Sequence, residues 1–106
     1  MRSISAVQLA QRLLQEDTRP LLLDVREPHE FRYCHIEGSV NIPMGRVFLS
    51  LGELQPAAET VVICHHGLRS AQVANFLEAH GFTGIYNLDG GVAAWAANVD
   101  PSMPTY

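Results

Sequence analysis

The segment CHHGLRS, from Cys64 to Ser70, brings a cysteine, a glycine and an arginine close together in the chain. It follows the apolar run TVVIC, which predicts a buried strand, and it leads into a predicted helix from Ser70 to His80. A loop that enters a helix presents unpaired backbone N–H groups and the positive end of the helix dipole. Because such loops bind anions and stabilise thiolates, we predict that Cys64 is a catalytic nucleophile.

The loop residues that follow the cysteine are predicted to bind the substrate. Glycine permits the backbone angles of a tight loop, and arginine adds a permanent positive charge with several donors. The two histidines line the loop and shape its entrance, since a loop that stabilises a thiolate needs no dedicated base. The alternative is an inert buried cysteine beside a glycine that serves only the turn, but the convergence of cysteine, glycine and arginine favours a site. The predicted substrate-binding residues are His65, His66, Gly67, Leu68 and Arg69.

Four residues separate Cys64 from Arg69. Tyrosine-phosphatase-type loops place five residues between their cysteine and arginine. A shorter loop encloses less space and suits a single sulfur atom better than a tetrahedral phosphate. The spacing therefore favours sulfur chemistry over phosphate chemistry at this cysteine.

The strands that position this loop are predicted from short apolar runs at residues 20–25, 60–64 and 85–88. Runs without alternation are typical of strands buried on both faces, as in a parallel sheet. The gaps between the runs are long enough for crossover connections. Residues 41–43 predict a short extra strand that Pro43 ends. The fold class predicted is α/β, with a parallel β-sheet flanked by helices on both faces.

Three helices are predicted around this sheet. In the first, Ser5 is the N-cap and Gln8 completes a capping box. The second, at residues 70–80, is followed by Gly81 as a natural C′ residue. The third is short, at residues 91–97. The residues expected to end the first helix are Asp17, Thr18 and Pro20.

Composition limits the class of protein. The 106 residues are 47% hydrophobic and 17% charged, which predicts one globular domain over 1–106 with a tail at 98–106. The net charge of −4 does not favour a nucleic-acid surface. No apolar run approaches the roughly 20 residues that span a bilayer, and polar residues interrupt any signal-peptide core, so a cytoplasmic location is the default expectation.

The remaining chemistry-bearing residues are expected to be structural. Asp24 and Arg26 lie at the end of a strand and predict an ion pair or hydrogen-bond network that holds this end. The alternative is that Arg26 lends charge to the sulfur site. Cys34 and Cys64 are expected to be reduced, since two cysteines make no disulfide framework. Adjacent Cys–His pairs do not match zinc-ligand spacing, so no metal is predicted. Trp95 is expected in the core.

Several separated segments resemble the rhodanese-like family. The cysteine loop matches its Cys-x-x-Gly-x-Arg-Ser pattern, and LLDVRE at 22–27 is similar to its Asp-Val-Arg motif. The segments HIEGSVNIP at 35–43 and LDGGVAAW at 88–95 are similar to two further family motifs. Cys34 stands where the family usually has glycine, and paired histidines are less usual in the loop.

The resemblance implies a single-domain sulfurtransferase that needs no cofactor. Cys64 would take sulfane sulfur from a donor such as thiosulfate or a protein persulfide and carry it as a persulfide. The acceptor would be cyanide, a thiol or a sulfur-carrier protein; neither nucleic acid nor a membrane is an expected partner. The alternatives are a non-catalytic binding or redox-sensing module, and a phosphatase or arsenate reductase of related fold.

Overall fold

The computed structural model describes residues 1–15, 17 and 19–106. Within these ranges the strands are β1 (Arg2–Ile4), β2 (Leu21–Asp24), β3 (Val40–Asn41), β4 (Thr60–Ile63) and β5 (Ile85–Leu88). They form one parallel sheet, with the order β1-β5-β4-β2-β3. The sheet confirms the predicted parallel α/β class.

Helices cover both faces of this sheet, as predicted. They are α1 (Ala6–Leu13), α2 (Pro28–Tyr33), α3 (Met44–Val47), α4 (Leu68–Ala79) and α5 (Gly91–Asn98), with a 3₁₀ turn at Leu51–Glu53. Helices α1 and α5 pack into one apolar cluster on one face, and α3 and α4 pack into a second on the other. Trp95 belongs to the first cluster and is 8% exposed, which confirms its place in the core.

Helix α1 begins with the predicted capping box. The Gln8 N–H donates to Ser5 Oγ (3.1 Å), and the Ser5 N–H donates to Gln8 Oε1 (2.9 Å). The helix ends at Leu13, earlier than expected, because the N–H groups of Leu14 and Gln15 bond three residues back and tighten the last turn. Of the residues expected to end it, Thr18 lies outside the described residues.

Helix α4 starts two residues earlier than predicted, because Gly67 is its N-cap, with φ of 103°. Its buried face contains Val73, Ala74 and Leu77, and Gly81 follows with φ of 91°. The sequence did not predict β1, α2 and α3. These elements have three, six and four residues, too few for a hydrophobic period to show. No helix among the described residues is long and apolar enough to cross a bilayer.

The sheet register brings two loops together at one edge. Asp24 at the end of β2 pairs with Ile63 at the end of β4, and the Val25 N–H donates to the Ile63 carbonyl (2.9 Å). Because parallel strands end at the same edge, the segment after Asp24 lies beside the loop that begins at Cys64.

Candidate functional site

Cys64 lies directly after β4, where the chain turns towards α4. Its side chain is a free thiol, and the residue is only 1% exposed. The Gly67 N–H donates to Sγ at 3.0 Å, and Ser70 Oγ lies 3.2 Å from Sγ. The first turn of α4 adds N–H groups that have no partner within the helix. The sulfur therefore lies in a polar loop that can stabilise negative charge.

The N-terminal turn of helix α5 binds the backbone of this loop. The Val92 N–H donates to the Cys64 carbonyl (2.9 Å), and the Ala93 N–H donates to the His65 carbonyl (3.1 Å). Gly91 has φ of 59°, and a Cβ there would lie 2.3 Å from the Cys64 carbonyl oxygen. The close approach therefore requires glycine at position 91.

A network of buried side-chain hydrogen bonds leads from the sulfur into the core. The Ser70 hydroxyl donates to Asn87 Oδ1, and Asn87 Nδ2 donates to the Gly67 carbonyl (3.3 Å). Both side chains are buried. Asn87 was not among the predicted site residues, although a polar residue inside the apolar run IYNL was a signal.

Arg69 is paired with Glu30 of α2. Its two terminal nitrogens reach the two carboxylate oxygens at 2.7 and 2.9 Å. The hydrogen bonds from Arg69 lower the pKa of Glu30 to about 2, against the opposing effect of burial. The same bonds raise the pKa of Arg69. The guanidinium that was predicted to bind substrate therefore has a partner outside the loop.

Tyr106 joins this pair to a second arginine. Its hydroxyl donates to Glu30 Oε2 (2.8 Å) and accepts from Arg26 Nη1 (3.0 Å). Burial raises the pKa of Tyr106, against the lowering effect of the Arg26 bond. The predicted tail at 98–106 begins inside α5, which ends at Asn98, and its later part contacts the domain through Met103, which is 8% exposed. No local pattern indicated these contacts.

Asp24 and Arg26 form the structural ion pair that the sequence predicted. Arg26 is fully buried, and its Nη2 donates to Asp24 Oδ2 at 2.7 Å. The same nitrogen donates to the Cys34 carbonyl, also at 2.7 Å. Arg26 thus ties the end of β2 to the end of α2.

The remaining loop side chains face different surroundings. His65 stacks on the Tyr106 ring, with 3.8 Å between the ring centroids and an angle of 6° between the planes. Burial lowers the pKa of His65, and the neighbouring His66 lowers it further. His66 is exposed, and Leu68 is 79% exposed. Of the five predicted binding residues, Gly67 is the one with a hydrogen bond to the sulfur in the described structure.

Two cavities differ in their relation to the loop. A cavity of about 720 Å³ lies between α1, α5 and residues 35–38, and no residue of the cysteine loop lines it. A cavity of about 60 Å³ lies between His65 and residues 104–106. Within the described part of the chain, no group of three or more His, Cys, Asp or Glu side chains is placed to hold a metal ion.

Curated relatives are similar in sequence to this chain over most of its length. A chloroplastic rhodanese-like/PpiC domain-containing protein 12 of Arabidopsis thaliana is 42% identical over 90 residues, or 80% of this chain. This chain spans 30% of that protein's length, and 24% and 22% of two further plant relatives. The thiosulfate sulfurtransferase GlpE of Shewanella oneidensis is 32% identical over 94 residues, covering 89% of this chain and 91% of that protein.

A solved structure shows the same architecture. The crystal structure of a rhodanese-like domain protein from Staphylococcus aureus superposes with a TM-score of 0.85 at 30% identity, covering 100% of this chain and 99% of that one. The Rhodanese-like domain family matches residues 5–98. With the cysteine loop, the parallel sheet and these matches in agreement, the chain belongs to the rhodanese-like family.

Proposed function

We propose that this protein is a sulfurtransferase in which Cys64 carries sulfane sulfur as a persulfide. The observation that carries the proposal is the position of Cys64 Sγ, which accepts the Gly67 N–H at 3.0 Å where β4 meets α4. Membership of the rhodanese-like family and the similarity to the Shewanella thiosulfate sulfurtransferase support it.

In the loading step, the Cys64 thiolate attacks the outer sulfur of a donor such as thiosulfate. A sulfur–sulfur bond forms at Sγ, the donor's own sulfur–sulfur bond breaks, and sulfite leaves with the electron pair. The negative charge then lies on the outer sulfur of the persulfide. We propose that the loop's backbone N–H groups stabilise this charge, with helix α4 adding its positive dipole end.

In the unloading step, a thiophilic acceptor takes the outer sulfur. Cyanide attacks that sulfur, the bond to Sγ breaks, and Cys64 leaves as a thiolate while thiocyanate departs. A thiol or a sulfur-carrier protein can replace cyanide as the physiological acceptor. Each step leaves a stable enzyme form, so ping-pong kinetics are expected.

Phosphate chemistry is the rival at a cysteine–arginine loop of this kind. It needs the arginine to bind the phosphate oxygens, yet both terminal nitrogens of Arg69 are bound to Glu30. With Arg69 bound to Glu30, the donors that the loop offers a ligand are its backbone N–H groups, and these suit one anionic sulfur. This contact favours sulfur transfer over a phosphatase or arsenate reductase.

Mass spectrometry after thiosulfate treatment tests the proposal. We expect Cys64 to gain the mass of one sulfur atom and cyanide to remove it. The Cys64→Ser variant, in which Cys34 remains, should gain nothing. A folded protein that gains no sulfur, or one that instead hydrolyses aryl phosphates, would contradict the assignment.

A further inference from the structure

Asn87 is a buried polar residue on an otherwise apolar side of its strand. It pairs in register with Val62 of β4, and both Val62 and Ile85 belong to the apolar cluster beneath α4. Asn87 is 6% exposed. Because burying an amide costs free energy unless it is hydrogen-bonded, the hydrogen-bond partners of Asn87 indicate its role.

The amide has one orientation in this network. Its Nδ2 donates to the Gly67 carbonyl at 3.3 Å, so its Oδ1 faces Ser70. Amide oxygen accepts only, and therefore the Ser70 hydroxyl must donate its proton to Asn87. Ser70 has a single hydroxyl proton, and this contact uses it.

The same hydroxyl oxygen lies 3.2 Å from Cys64 Sγ. While its proton points to Asn87, Oγ can only accept, so the bond requires Cys64 to be a thiol that donates its S–H. A thiolate would instead require the hydroxyl to turn from Asn87 to the sulfur. Asn87 Oδ1 and the ionised Sγ thus compete for one proton.

We infer that Asn87 is a positioning residue that orients the Ser70 hydroxyl and thereby favours the thiol form of Cys64 in the resting protein. On ionisation, the thiol proton passes to solvent and the hydroxyl turns to the sulfur. In the persulfide, Sγ is neutral, so the hydroxyl keeps its bond to Asn87. The consequence of this contact for catalysis rests on the proposed function, whereas its effect on the ionisation of Cys64 does not.

The test compares the thiolate fraction of Cys64 at pH 7, followed by ultraviolet absorbance in a Cys34→Ser background without any sulfur donor. Asn87→Leu removes the acceptor at similar volume, while the Gly67 carbonyl still accepts the Ala71 N–H (3.3 Å). We expect the thiolate fraction to rise about three- to tenfold, the equivalent of the one ordinary hydrogen bond from Ser70 to Asn87 that ionisation then no longer breaks. Arg69, whose charge also acts on Cys64, is unchanged in each variant.

Matched variants separate this role from a structural one. Asn87→Ala also removes the acceptor and should repeat the rise, which covers the case in which the leucine variant does not fold. In a Ser70→Ala background, Asn87→Leu should have no effect on the thiolate fraction. No rise in the single variant, or an equal rise without the Ser70 hydroxyl, would overturn the inference. A rise without any persulfide formation would leave it standing and count against the proposed function alone.

Discussion

Arg69 and Glu30 form a two-point ion pair, in which Arg69 Nη1 donates to Glu30 Oε1 at 2.7 Å and Arg69 Nη2 donates to Glu30 Oε2 at 2.9 Å. The arginine belongs to the cysteine loop and the glutamate to α2, so the pair fastens one to the other. The arginine's charge is therefore shared between the loop and a fixed carboxylate.

The pair leads to a prediction for the loading step. Arg69→Ala should slow loading from thiosulfate by about tenfold, more than it slows unloading to cyanide. The reason is the charge of the guanidinium, which attracts a dianion more strongly than a monoanion even while Glu30 occupies its two terminal nitrogens. Glu30→Gln leaves the cation in place and should not slow loading. Single-turnover measurements of each half-reaction separate the steps. An equal loss in both variants would mean that the pair acts only by holding the loop.

The two cysteines are expected to differ completely in sulfur transfer. Cys64→Ser should abolish thiosulfate:cyanide activity, since only its Sγ lies among the loop's donors. Cys34→Ser should retain most of it, because Arg26 Nη2 bonds the Cys34 backbone carbonyl, which serine keeps. Steady-state assays on folded variants measure both. Loss of activity in both would instead indicate a resolving role for Cys34.

The pKa of Glu30 predicts an acid-dependent loss of stability. It is lowered from 4.5 to about 2, so the pair's contribution is present above the unfolded value and is lost as the pH falls through about 2. We expect Glu30→Gln to remove about 1 to 2 kcal/mol of this pH-dependent term, allowing for solvent around Arg69. Glu59→Gln, whose carboxylate is more exposed, should remove less. Urea unfolding from pH 6 to pH 2 measures the difference, and identical slopes for wild type and Glu30→Gln would contradict it.

Two glycines with positive φ should respond very differently to alanine. At Gly91 the new Cβ meets the Cys64 and His65 carbonyl oxygens at 2.3 and 2.4 Å, so Gly91→Ala should cost about 3 kcal/mol or more and displace the loop. At Gly81, where no atom lies within 4 Å of the new Cβ, alanine should cost only about 1 to 2 kcal/mol through its backbone angles. Urea denaturation and a transfer assay compare them; equal losses would mean that the close approach of α5 is unimportant.

The parts predicted correctly are those whose signal is local in the chain. The capping box at Ser5 joins residues three apart, and the strand, loop and helix around Cys64 are contiguous. The missed α2 is too short to show a period, although Pro28 at its first turn and Glu30 in a capping position were cues.

The α/β class and the cysteine loop with its nucleophile candidate were predictable from the sequence, because a strand end, a glycine turn and a helix start follow one another along the chain. Which side chains surround that loop depends on the packing of distant segments. The contacts join residues that lie far apart in the sequence. Glu30 and Arg69 are separated by 39 positions, and Tyr106 and Glu30 by 76. Asn87 and Ser70 are separated by 17 positions. These contacts depend on the order of the strands and on how the helices pack across them, and no local pattern of residues encodes that order.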